Sequence, residues 1–343
     1  MKKYLSLFFT VAFFVLVFAA APSHGEYQII HAGTVTTSGN YPWGVAIGEA
    51  ISKYADGVSC KTRAVGAGGL TLPMMAKGQA NMASALGINL VTEAYEGIEN
   101  FKKLGPNKKL RLFVVREKVY FPMWVTVSSG IKNFMDLKGR KINSGNPGSV
   151  AQKSAFAMEK ALKTGVIWTK GSTSQAKADV KDRRIDGYWR SAPAVPPGPN
   201  FKLKFDASAL EINSTIPMTV CGFTEAQKNK VKAVLPRLPF AKIPAGGFQE
   251  RPKMPAFWLT IVATGSAVSA DIPQDVQYKM IKAVVEHWKQ VGNAYPPSRP
   301  WDPMKDTLAL EEFGVPLCAG FVQYAMEKGL KVPKKLIPPE FKK

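Results

Sequence analysis

The sequence predicts an α/β protein with two lobes, and three observations support this fold class. The chain has 343 residues, which is enough for two packed domains of roughly 100–200 residues each. Segments with strand character alternate with segments whose apolar residues recur at helical spacing, which is typical of α/β layers with mainly parallel sheets. Two hydroxyl-rich loops, each followed by a helix pattern, lie about a hundred residues apart. Their separation indicates one loop in each lobe.

The first 25 residues have the pattern of a secretory signal peptide. Two lysines precede an apolar run that ends at Ala21, and small residues follow. Cleavage after Ala21 or after Gly25 fits the sequence, and we prefer Gly25 because Pro22 directly follows the first site. The alternative is an uncleaved membrane anchor, although the run is short for a spanning helix of about 20 residues. We therefore expect export to the periplasm, with residues 1–25 removed.

The formal net charge is +21, and loss of Lys2 and Lys3 with the signal peptide lowers it to +19. Such a surplus attracts small carboxylates, nucleic acid and acidic lipid headgroups alike. Export argues against nucleic acid, and the basic residues are scattered along the chain rather than clustered. We expect a small anionic solute as the partner and no nucleic acid.

Short motifs of common enzymes are missing from the sequence. GxSxG, HExxH and a Walker loop are all absent. The run Gly66–Gly69 is rich in glycine but lacks the third glycine of a dinucleotide-binding loop. Cys60, Cys221 and Cys318 are too far apart for a zinc pattern. We expect no enzyme activity, no metal and no cofactor, and the sequence leaves open which two cysteines, if any, form a disulfide.

The two hydroxyl-rich loops are the candidate binding elements. The loop Thr36–Gly39 precedes a helix pattern that starts near Pro42, and the loop Asn146–Ser149 precedes another. A helix N-terminus presents unpaired N–H groups and the positive end of the dipole, which suits a carboxylate. Ser, Thr and Gly also serve as ordinary helix caps, which is the alternative for either loop alone. Two such loops in one exported α/β protein favour ligand binding.

Aromatic and arginine residues near these loops are further candidates. Tyr41 follows the first loop, and Tyr188 and Trp189 follow a predicted helix in the second half. Core packing is the alternative for each aromatic residue. Arg116 ends an apolar strand pattern and Arg190 follows Trp189 directly. Either guanidinium could hold a carboxylate through two hydrogen bonds, and surface ion pairing is the alternative.

Other elements follow from local patterns. Asp271 and Gln274 fit a capping box at the start of a late helix. The prolines beyond Lys328 cannot extend a helix, so we expect that tail to run over the surface. Apolar and β-branched runs predict strands over residues 27–32, 58–65, 81–85, 110–116, 122–127, 141–144 and 255–262.

Seven segments, spread over nearly the whole mature chain, match the motifs of one family in order. The loop from Gly33 to Pro42 is similar to the family's GSTGGTYYP loop, and residues 129–149 are similar to its stretch SGIKSLADLKGKRVSVGPPGSG. On these motifs the chain resembles the TAXI-type solute-binding proteins of TRAP transporters. The remaining matches are RAVGAGGL at 63–70, the segment 184–193, IPAGGF at 243–248 and VPL at 315–317.

The resemblance implies a two-lobe, periplasmic-binding-protein type II-like fold with a ligand cleft between the lobes. It implies hinge closure over one small ligand, without catalysis, and delivery to the TRAP membrane permease subunits. Known members are associated with glutamate or related dicarboxylates such as 2-oxoglutarate. We expect residues 26–118 and 256–343 to form lobe one and residues 119–255 to form lobe two. The nearest alternative is the binding protein of an ABC importer, and an exported enzyme or adhesion-type surface protein is a more distant one.

The resemblance also implies ligand contacts from both lobes. The family's polar QSD segment falls near Leu86–Ile88, and Cys318 replaces the histidine of its VPLHPG motif. These departures leave the ligand open, since a more apolar pocket could favour an aromatic or branched carboxylate. Arg190 is added from the residue pattern as a candidate clamp. The implied contacts are Thr36, Thr37, Ser38, Gly39, Tyr41, Gly68, Gly69, Asn146, Gly148, Ser149, Tyr188 and Trp189.

Overall fold

The computed structural model describes residues 26–38, 40–193, 203–235 and 238–343. The predicted signal peptide lies outside the described residues. The strands are β1 (Tyr27–Gly33), β2 (Val58–Ala64), β3 (Met82–Gly87), β4 (Leu110–Phe121), β5 (Met123–Thr126), β6 (Lys141–Asn143), β7 (Ile167–Thr169), β8 (Gly187–Trp189), β9 (Ala192–Pro193), β10 (Met218–Cys221), β11 (Phe240–Ile243) and β12 (Phe257–Ser269). The helices are α1 (Tyr41–Tyr54), α2 (Gly68–Ala76), α3 (Ile88–Glu96), α4 (Val150–Leu162), α5 (Thr173–Lys181), α6 (Ala207–Asn213), α7 (Glu225–Val234), α8 (Gln274–Glu286), α9 (Trp288–Ala294), α10 (Pro303–Leu308) and α11 (Ala319–Glu327).

The strands form two sheets, which confirms the predicted α/β fold class. The first sheet has the order β2-β1-β3-β12-β4-β9, with β11 paired to β12, and the second has the order β10-β5-β8-β6-β7. Strand β1 is parallel to β2 and β3, and β6 is parallel to β7 and β8. The prediction of mainly parallel sheets is wrong, because β4 and β12 pair antiparallel, as do β5 and its two neighbours.

Strands β4 and β12 connect the two halves of the molecule. The first residues of β4, Leu110–Val115, belong to the core around the first sheet, whereas Val119 and Phe121 belong to a core of the second half. Strand β12 makes the same passage in reverse. The sequence pattern predicts that this strand ends at Arg116, because charged residues interrupt the apolar run there. In the structure the strand continues to Phe121. The lobe boundaries at 118/119 and 255/256 remain a prediction.

A β-bulge lies at Arg116, where the two long strands cross. Glu117 pairs with Thr264, and Gly265 pairs with the residue before Arg116, so Arg116 has no opposite residue in β12. Side chains of consecutive strand residues normally point to opposite faces, and a bulge interrupts this alternation and re-aims a side chain. Gly265 permits the close approach, since a Cβ there would lie 2.4 Å from the Val114 carbonyl oxygen.

Helix α1 shows why the core of the first half forms. Trp43, Ile47 and Ile51 recur every four residues, and each is completely buried. This spacing puts one apolar stripe on the side of the helix that faces the core. Pro42 is accommodated in the first turn, where a backbone N–H would have no helical partner. The predicted helix is therefore confirmed on its spacing and its start.

Aromatic side chains fill the core of the second half. The rings of Phe134 and Phe223 stack with centroids 4.0 Å apart, and Trp189 meets Phe223 edge-on at 5.9 Å. Trp124 contacts Phe205 in a similar edge-on arrangement at 5.2 Å. Such pairs stabilise a core beyond the burial of their area. The second half thus has two aromatic core clusters of its own.

Two local predictions near the C-terminal end are wrong. Helix α8 begins at Gln274 without a side-chain cap, and Asp271 forms an ion pair with Lys109 at 3.0 Å instead of a capping box. The tail is not confined to the surface, because Leu336 is completely buried. The backbone N–H of Leu317 donates to the Leu336 carbonyl oxygen at 2.9 Å. Apolar residues between the prolines therefore anchor the tail to the core.

The three cysteines of the chain do not cross-link one another. Cys60, Cys221 and Cys318 are all free thiols, so the disulfide that the sequence left open is not formed. Burial raises the pKa of Cys60 and of Cys318 to about 12. Among the helices in the described ranges, none has the length and apolar character needed to cross a membrane.

Candidate ligand-binding cleft

A cleft of about 460 Å³ lies between the two sheets and is lined from both lobes. Strands β4 and β12 form its floor, where Arg116, Glu117 and Thr264 lie. Helices α1, α2 and α3 begin on one wall, and α4 and α5 begin on the other. The first turn of a helix carries unpaired N–H groups and the positive end of the dipole. Five helices of nine or more residues therefore favour an anion in this cleft.

The helices on the two walls are capped differently. On the lobe-one wall, Asn40, Ala67 and Gly87 precede α1, α2 and α3, and none of them caps its helix with a side-chain hydrogen bond. On the lobe-two wall, the Oγ atoms of Ser149 and Ser172 each accept a hydrogen bond from the backbone N–H three residues on, at 3.2 and 3.1 Å. The lobe-one helices consequently keep more of their N–H donors for a ligand.

Arg116 is a buried cation at the floor of the cleft, with a relative exposure of 1%. Its guanidinium carbon lies 4.7 Å from the centre of the Tyr295 ring and 5.4 Å from that of Trp43. The Nη2 atom lies 2.7 Å from Glu117 Oε1 and donates to Thr264 Oγ1 at 3.1 Å. The Nε and Nη1 atoms have no hydrogen-bond partner in the described part of the chain. Two donors of this guanidinium are therefore uncommitted.

Glu117 supplies the opposite charge beside Arg116 and has a relative exposure of 0%. Its Oε1 atom is held by Arg116 and accepts a hydrogen bond from the Tyr295 hydroxyl at 2.8 Å. Burial raises the pKa of Tyr295, so this phenol keeps its proton and donates. The Oε2 atom has no hydrogen-bond partner among the residues that the structure describes. The floor thus combines unused donors with an unused acceptor.

Arg190 also lines the cleft, but its donors are committed to lobe two. The Nε atom donates to Thr173 Oγ1 at 3.1 Å, and Nη1 donates to the Trp189 carbonyl oxygen at 2.9 Å. The Nη2 atom donates to Asn143 Oδ1 at 3.0 Å and to the Gly171 carbonyl oxygen at 2.7 Å. Burial lowers the pKa of Arg190 to about 10. Its guanidinium ties the end of β8 to the start of α5.

The structure brings together part of the predicted site. The polar loop of lobe one reaches the cleft, although Thr36 and Tyr41 lie outside the lining. Gly39 lies outside the described residues. Gly69 and Gly148 are not in the lining but meet each other across it. The predicted residues that line the cleft are Thr37, Ser38, Gly68, Asn146, Ser149 and Arg190.

Tyr188 and Trp189 are fully buried rather than placed in the cleft. Trp189 packs against Phe134 and Phe223, and the Tyr188 hydroxyl lies 3.5 Å from Asp206 Oδ1. Core packing, which the sequence left open for both residues, is the role that these surroundings fit. Their neighbour in the chain, Arg190, is the residue of this segment that reaches the lining.

Sequence reasoning missed several polar residues of the cleft. Glu117 has a recognisable signal, since a carboxylate in an apolar, otherwise buried strand needs an explanation. Asp206 and Thr173 lie at the starts of helices, which capping rules could have found. Tyr295 comes from a distant part of the chain, 178 residues after Glu117. No local pattern identifies such a residue.

The segment Leu86–Ile88 shows what replaces the polar residues expected there. Leu86 and Ile88 are buried in the core of lobe one, each with a relative exposure of 1%. Gly87 lies in the cleft lining directly before α3. This segment therefore offers backbone groups to the cleft instead of side-chain hydrogen bonds.

The two lobes touch at the mouth of the cleft. A Cβ on Gly69 would lie 3.0 Å from the Gly148 carbonyl oxygen, so the backbones of α2 and of the loop before α4 are in contact. Nearby, Lys153 of α4 forms an ion pair with Glu93 of α3. Of the ion pairs formed by the described residues, this pair joins the two walls. The structure therefore represents a conformation in which the lobes meet.

A second cavity of about 390 Å³ lies beside the Glu93–Lys153 ion pair. Its walls are the sides of α3, α4 and α7 together with apolar residues such as Leu238 and Phe313. The first turns of α1, α2, α4 and α5 are not part of its lining. We therefore take the cleft above β4 and β12 as the candidate site.

The fold and the cleft define a two-lobe α/β protein, with a cleft between its two sheets. The chain belongs to the NMT1-like family, which matches residues 32–329. Among proteins with curated descriptions, none matches this chain.

Similar solved structures include one arginine-binding protein and two proteins described as parts of ABC transporters. An ancestral arginine-binding protein bound to arginine has 15% identity and a TM-score of 0.47, over 79% of this chain and 98% of its own. An amino acid ABC transporter substrate-binding protein from Streptococcus pneumoniae, bound to L-arginine, has 12% identity and a TM-score of 0.46, over 79% and 95%. A putative L-cystine ABC transporter protein from Listeria monocytogenes has 12% identity and a TM-score of 0.48, over 80% and 96%.

Proposed function

We propose that this protein is an extracytoplasmic solute-binding protein, which captures a small organic carboxylate in the cleft and delivers it to a membrane transporter. The observation that carries this proposal is the lobe-one side of the cleft. Three helix N-termini without side-chain caps line the cleft together with Arg116, whose Nε and Nη1 atoms are buried and have no hydrogen-bond partner among the described residues. Hydrogen bonds from an ionised donor to a carboxylate are about twice as strong as neutral ones. A carboxylate is the kind of ligand that helix N-termini and a guanidinium both favour.

The size and charge of the molecule support a small anionic ligand. The cleft of about 460 Å³ falls within the range of roughly 300–1,000 Å³ that is usual for small-molecule sites. The net positive charge of the chain raises the local concentration of anions and speeds their encounter. The predicted signal peptide supports capture outside the cytoplasm, where a transporter takes up its solutes.

Hinge closure is the proposed mode of capture. The two lobes are joined by β4 and β12, which provide the short connections that a hinge motion needs. Contacts such as Gly69 with Gly148 and Glu93 with Lys153 form only when the walls meet. A ligand shifts the protein towards this state only by binding it more tightly than the open state. The donors of lobe one hold the carboxylate, and closure of lobe two completes its burial.

The transporter is proposed to be of the TRAP type, on the motifs that resemble the TAXI-type binding proteins. The rival is an ABC importer, whose binding proteins share the two-lobe architecture. The experiment that distinguishes them adds the binding protein to vesicles containing the reconstituted transporter and measures which energy source drives solute uptake. Uptake driven by an ion gradient without ATP supports the TRAP assignment, whereas uptake that requires ATP supports the ABC assignment.

The first test of the proposal is thermal unfolding of the mature protein against a panel of small carboxylates. A ligand at about 100 times its dissociation constant adds about 2.7 kcal/mol to the free energy of unfolding. Stabilisation by glutamate-like or keto-dicarboxylates supports the specificity that the motifs imply. Stabilisation by apolar or aromatic acids alone means that Leu86–Ile88 has reshaped the pocket. No stabilisation by any carboxylate contradicts the proposal.

A further inference from the structure

The end of lobe two that lies away from the cleft has a surface of its own. Helices α4 and α5 begin at the cleft, whereas strands β6 and β7 begin at the opposite end, where Lys141 pairs with Ile167. Helix α4 has 13 residues and runs from one end to the other. At 1.5 Å per residue it separates the two ends by about 20 Å.

The fold brings together at this opposite end basic residues that are far apart in the sequence. The Gly139 N–H donates to the Gly165 carbonyl oxygen at 2.9 Å, which joins the start of β6 to the loop before β7. The Asp186 N–H donates to the Lys141 carbonyl oxygen at 2.8 Å, which adds the segment that follows α5. The Thr126 N–H donates to the Asp186 carbonyl oxygen at 2.9 Å and adds the turn after β5. We call this surface the distal end, and its exposed basic residues are Lys132, Lys138, Arg140, Lys141, Lys163, Arg183 and Arg184.

Most of these seven side chains have no counter-charge. Arg140 pairs with Asp186 at 3.6 Å, and Arg184 pairs with Asp179 and Asp182 at 3.7 and 3.3 Å. The other five form no ion pair with residues that the structure describes. Two of the five follow directly on α4 and α5, where a cation stabilises the negative end of the helix dipole. That role does not account for Lys132, Lys138 and Lys141.

Large apolar side chains are exposed among these lysines. Val127, Met135 and Ile167 have relative exposures of 49%, 55% and 48%. Met135 lies between two of the lysines in the sequence, and Ile167 lies opposite Lys141 in the sheet. Apolar side chains interleaved with cations suit the surface of an anionic membrane. The apolar groups enter the boundary between headgroups and acyl chains, and the cations meet the lipid phosphates.

We propose that the distal end of lobe two docks the protein on the surface of an anionic lipid bilayer. The distribution of charge supports this partner. Residues 119–255, the predicted lobe two, contain 22 Lys and Arg against 9 Asp and Glu, which gives +13 of the +19 on the mature chain. An anionic surface therefore attracts lobe two more strongly than lobe one.

This docking goes beyond the proposed function and does not depend on the ligand. Because the cleft lies about 20 Å from the distal end, a docked protein keeps its cleft open to solutes. Docking confines the protein to the layer of fluid next to the membrane. A binding protein held there meets a membrane transporter at a higher effective concentration than one free in solution.

The experiment is flotation of the mature protein with lipid vesicles at low salt. We expect binding to vesicles of phosphatidylcholine mixed with phosphatidylglycerol and none to phosphatidylcholine alone. Added salt is expected to weaken the binding, because ions screen exposed charges. Each lysine near an anionic bilayer contributes about 5-fold in affinity, from about 1 kcal/mol per residue. The triple variant Lys132→Gln, Lys138→Gln, Lys141→Gln is therefore expected to bind about 100-fold more weakly.

A matched control removes the same number of charges from lobe one. Lys61, Lys102 and Lys103 are exposed and form no ion pair within the described ranges. Their combined substitution by glutamine is expected to leave vesicle binding within a few-fold of the wild type. Equal losses in the two triple variants mean that only the net charge matters, and they overturn the assignment of the distal end.

The double variant Met135→Ser, Ile167→Ser tests whether the partner is a bilayer. It keeps the charge and removes the apolar groups that enter the lipid, so we expect vesicle binding to weaken about 10-fold. Unchanged binding means that these side chains do not enter the bilayer, and it overturns the proposed mode of docking. Any soluble anionic partner would then fit the lysines equally well.

The remaining outcomes keep the test independent of folding and of the ligand. Substituting the same three distal lysines by arginine preserves the charge, and we expect that variant to bind vesicles as the wild type does. Loss of binding in both the glutamine and the arginine variants indicates damage to the fold, and the double variant then decides. No binding of the wild type to anionic vesicles overturns the inference. The proposed capture of a carboxylate is tested separately, by thermal unfolding without lipid.

Discussion

The two walls of the cleft use their donors in opposite ways. On the lobe-two wall, Ser149 and Ser172 cap their helices, and Arg190 gives four hydrogen bonds to its own lobe. On the lobe-one wall, three helices begin without side-chain caps, and Arg116 on the adjoining floor keeps two donors unpartnered in the described part of the chain. Both arginines are buried and both line the same space. What separates them is whether their hydrogen bonds are already made.

This difference assigns different tasks to the walls. Polar groups that already have hydrogen-bond partners gain little free energy from a ligand. Buried groups without partners gain more, because a ligand's hydrogen bond removes the cost of leaving them unpaired. We therefore expect lobe one to bind the ligand first and lobe two to close over it. Being buried beside the cleft does not by itself make an arginine a ligand-binding residue.

The largest effect is expected for Arg190→Lys, as a loss of stability. Lysine has a single point charge and cannot reproduce the planar fork that reaches Thr173, Asn143 and two backbone carbonyl oxygens. We expect the free energy of unfolding to fall by about 2–4 kcal/mol, because several buried acceptors lose a charged donor. Urea unfolding followed by circular dichroism measures this change. A variant as stable as the wild type would break the contrast between the walls.

The matched variant Arg116→Lys is expected to lower affinity more than stability. The ammonium group still neutralises Glu117, but the donors corresponding to Nε and Nη1 are lost. We expect the dissociation constant of the best carboxylate to rise about 10- to 100-fold. Calorimetry on this variant and on Arg190→Lys forms a crossed comparison. The proposed difference between the two arginines is wrong if the folded fraction of Arg190→Lys binds the carboxylate as weakly as Arg116→Lys does.

Gly69→Ala separates closure from folding. Gly69 lies in the first turn of α2, and a Cβ there would press on the Gly148 carbonyl oxygen when the lobes meet. Overpacking of this kind costs about 1 kcal/mol, which is about 5-fold in affinity. The open protein is not strained, and alanine in a helix raises stability by about 0.5 kcal/mol. We expect weaker binding by calorimetry with an unchanged or higher melting temperature, and unaltered affinity would show that closure does not need this contact.

The sequence predicted the architecture better than it predicted the site. Alternating periodicity and the helix start at Pro42 are local signals, and both the α/β class and α1 follow from them. The loops at Ser38 and Ser149 carry local signals as well, and both reach the cleft. The pair Arg116–Glu117 depends on a bulge, which is a property of the pairing between β4 and β12. Contacts across the fold, such as that of Tyr295, have no sequence signal at all.

The capping residues show why hydroxyl-rich loops alone were ambiguous. Ser149 and Ser38 both precede helices and both looked like ligand contacts. In the structure the Ser149 hydroxyl accepts from the α4 backbone, and the Ser38 hydroxyl accepts from the Asn40 N–H at 3.2 Å. Ser149 therefore caps α4, as the capping alternative required, whereas Ser38 closes a local turn before α1 and does not cap it. Only the neighbouring unsatisfied groups of lobe one, which the sequence does not reveal, distinguish a binding wall from a capped one.

The smallest effect concerns pH and the ion pair that joins the two walls. Burial raises the pKa of Glu93 above its ordinary value of 4.5, while the attraction to Lys153 partly opposes this. The closed state therefore holds a proton on Glu93 more tightly than an open state in which the side chain is hydrated. By linkage, protonation of Glu93 favours the closed state at low pH. This contribution to the free energy of closure is lost as the pH rises through the raised pKa of Glu93. We expect ligand affinity to fall a few-fold across that window in the wild type.

The variant Glu93→Gln removes the titrating carboxyl group, so we expect its ligand affinity to depend less on pH than that of the wild type. Lys153 then loses its counter-charge in the closed state, so affinity near neutral pH is expected to fall as well, and the slope with pH rather than the absolute affinity reports the titration of Glu93. Calorimetry at several pH values, with Asp271→Asn as the charge-matched control, measures the slope. A slope that persists in Glu93→Gln assigns the pH dependence to another group, such as the ligand carboxylate. In that case the ion pair between Glu93 and Lys153 does not contribute to the pH dependence of ligand affinity.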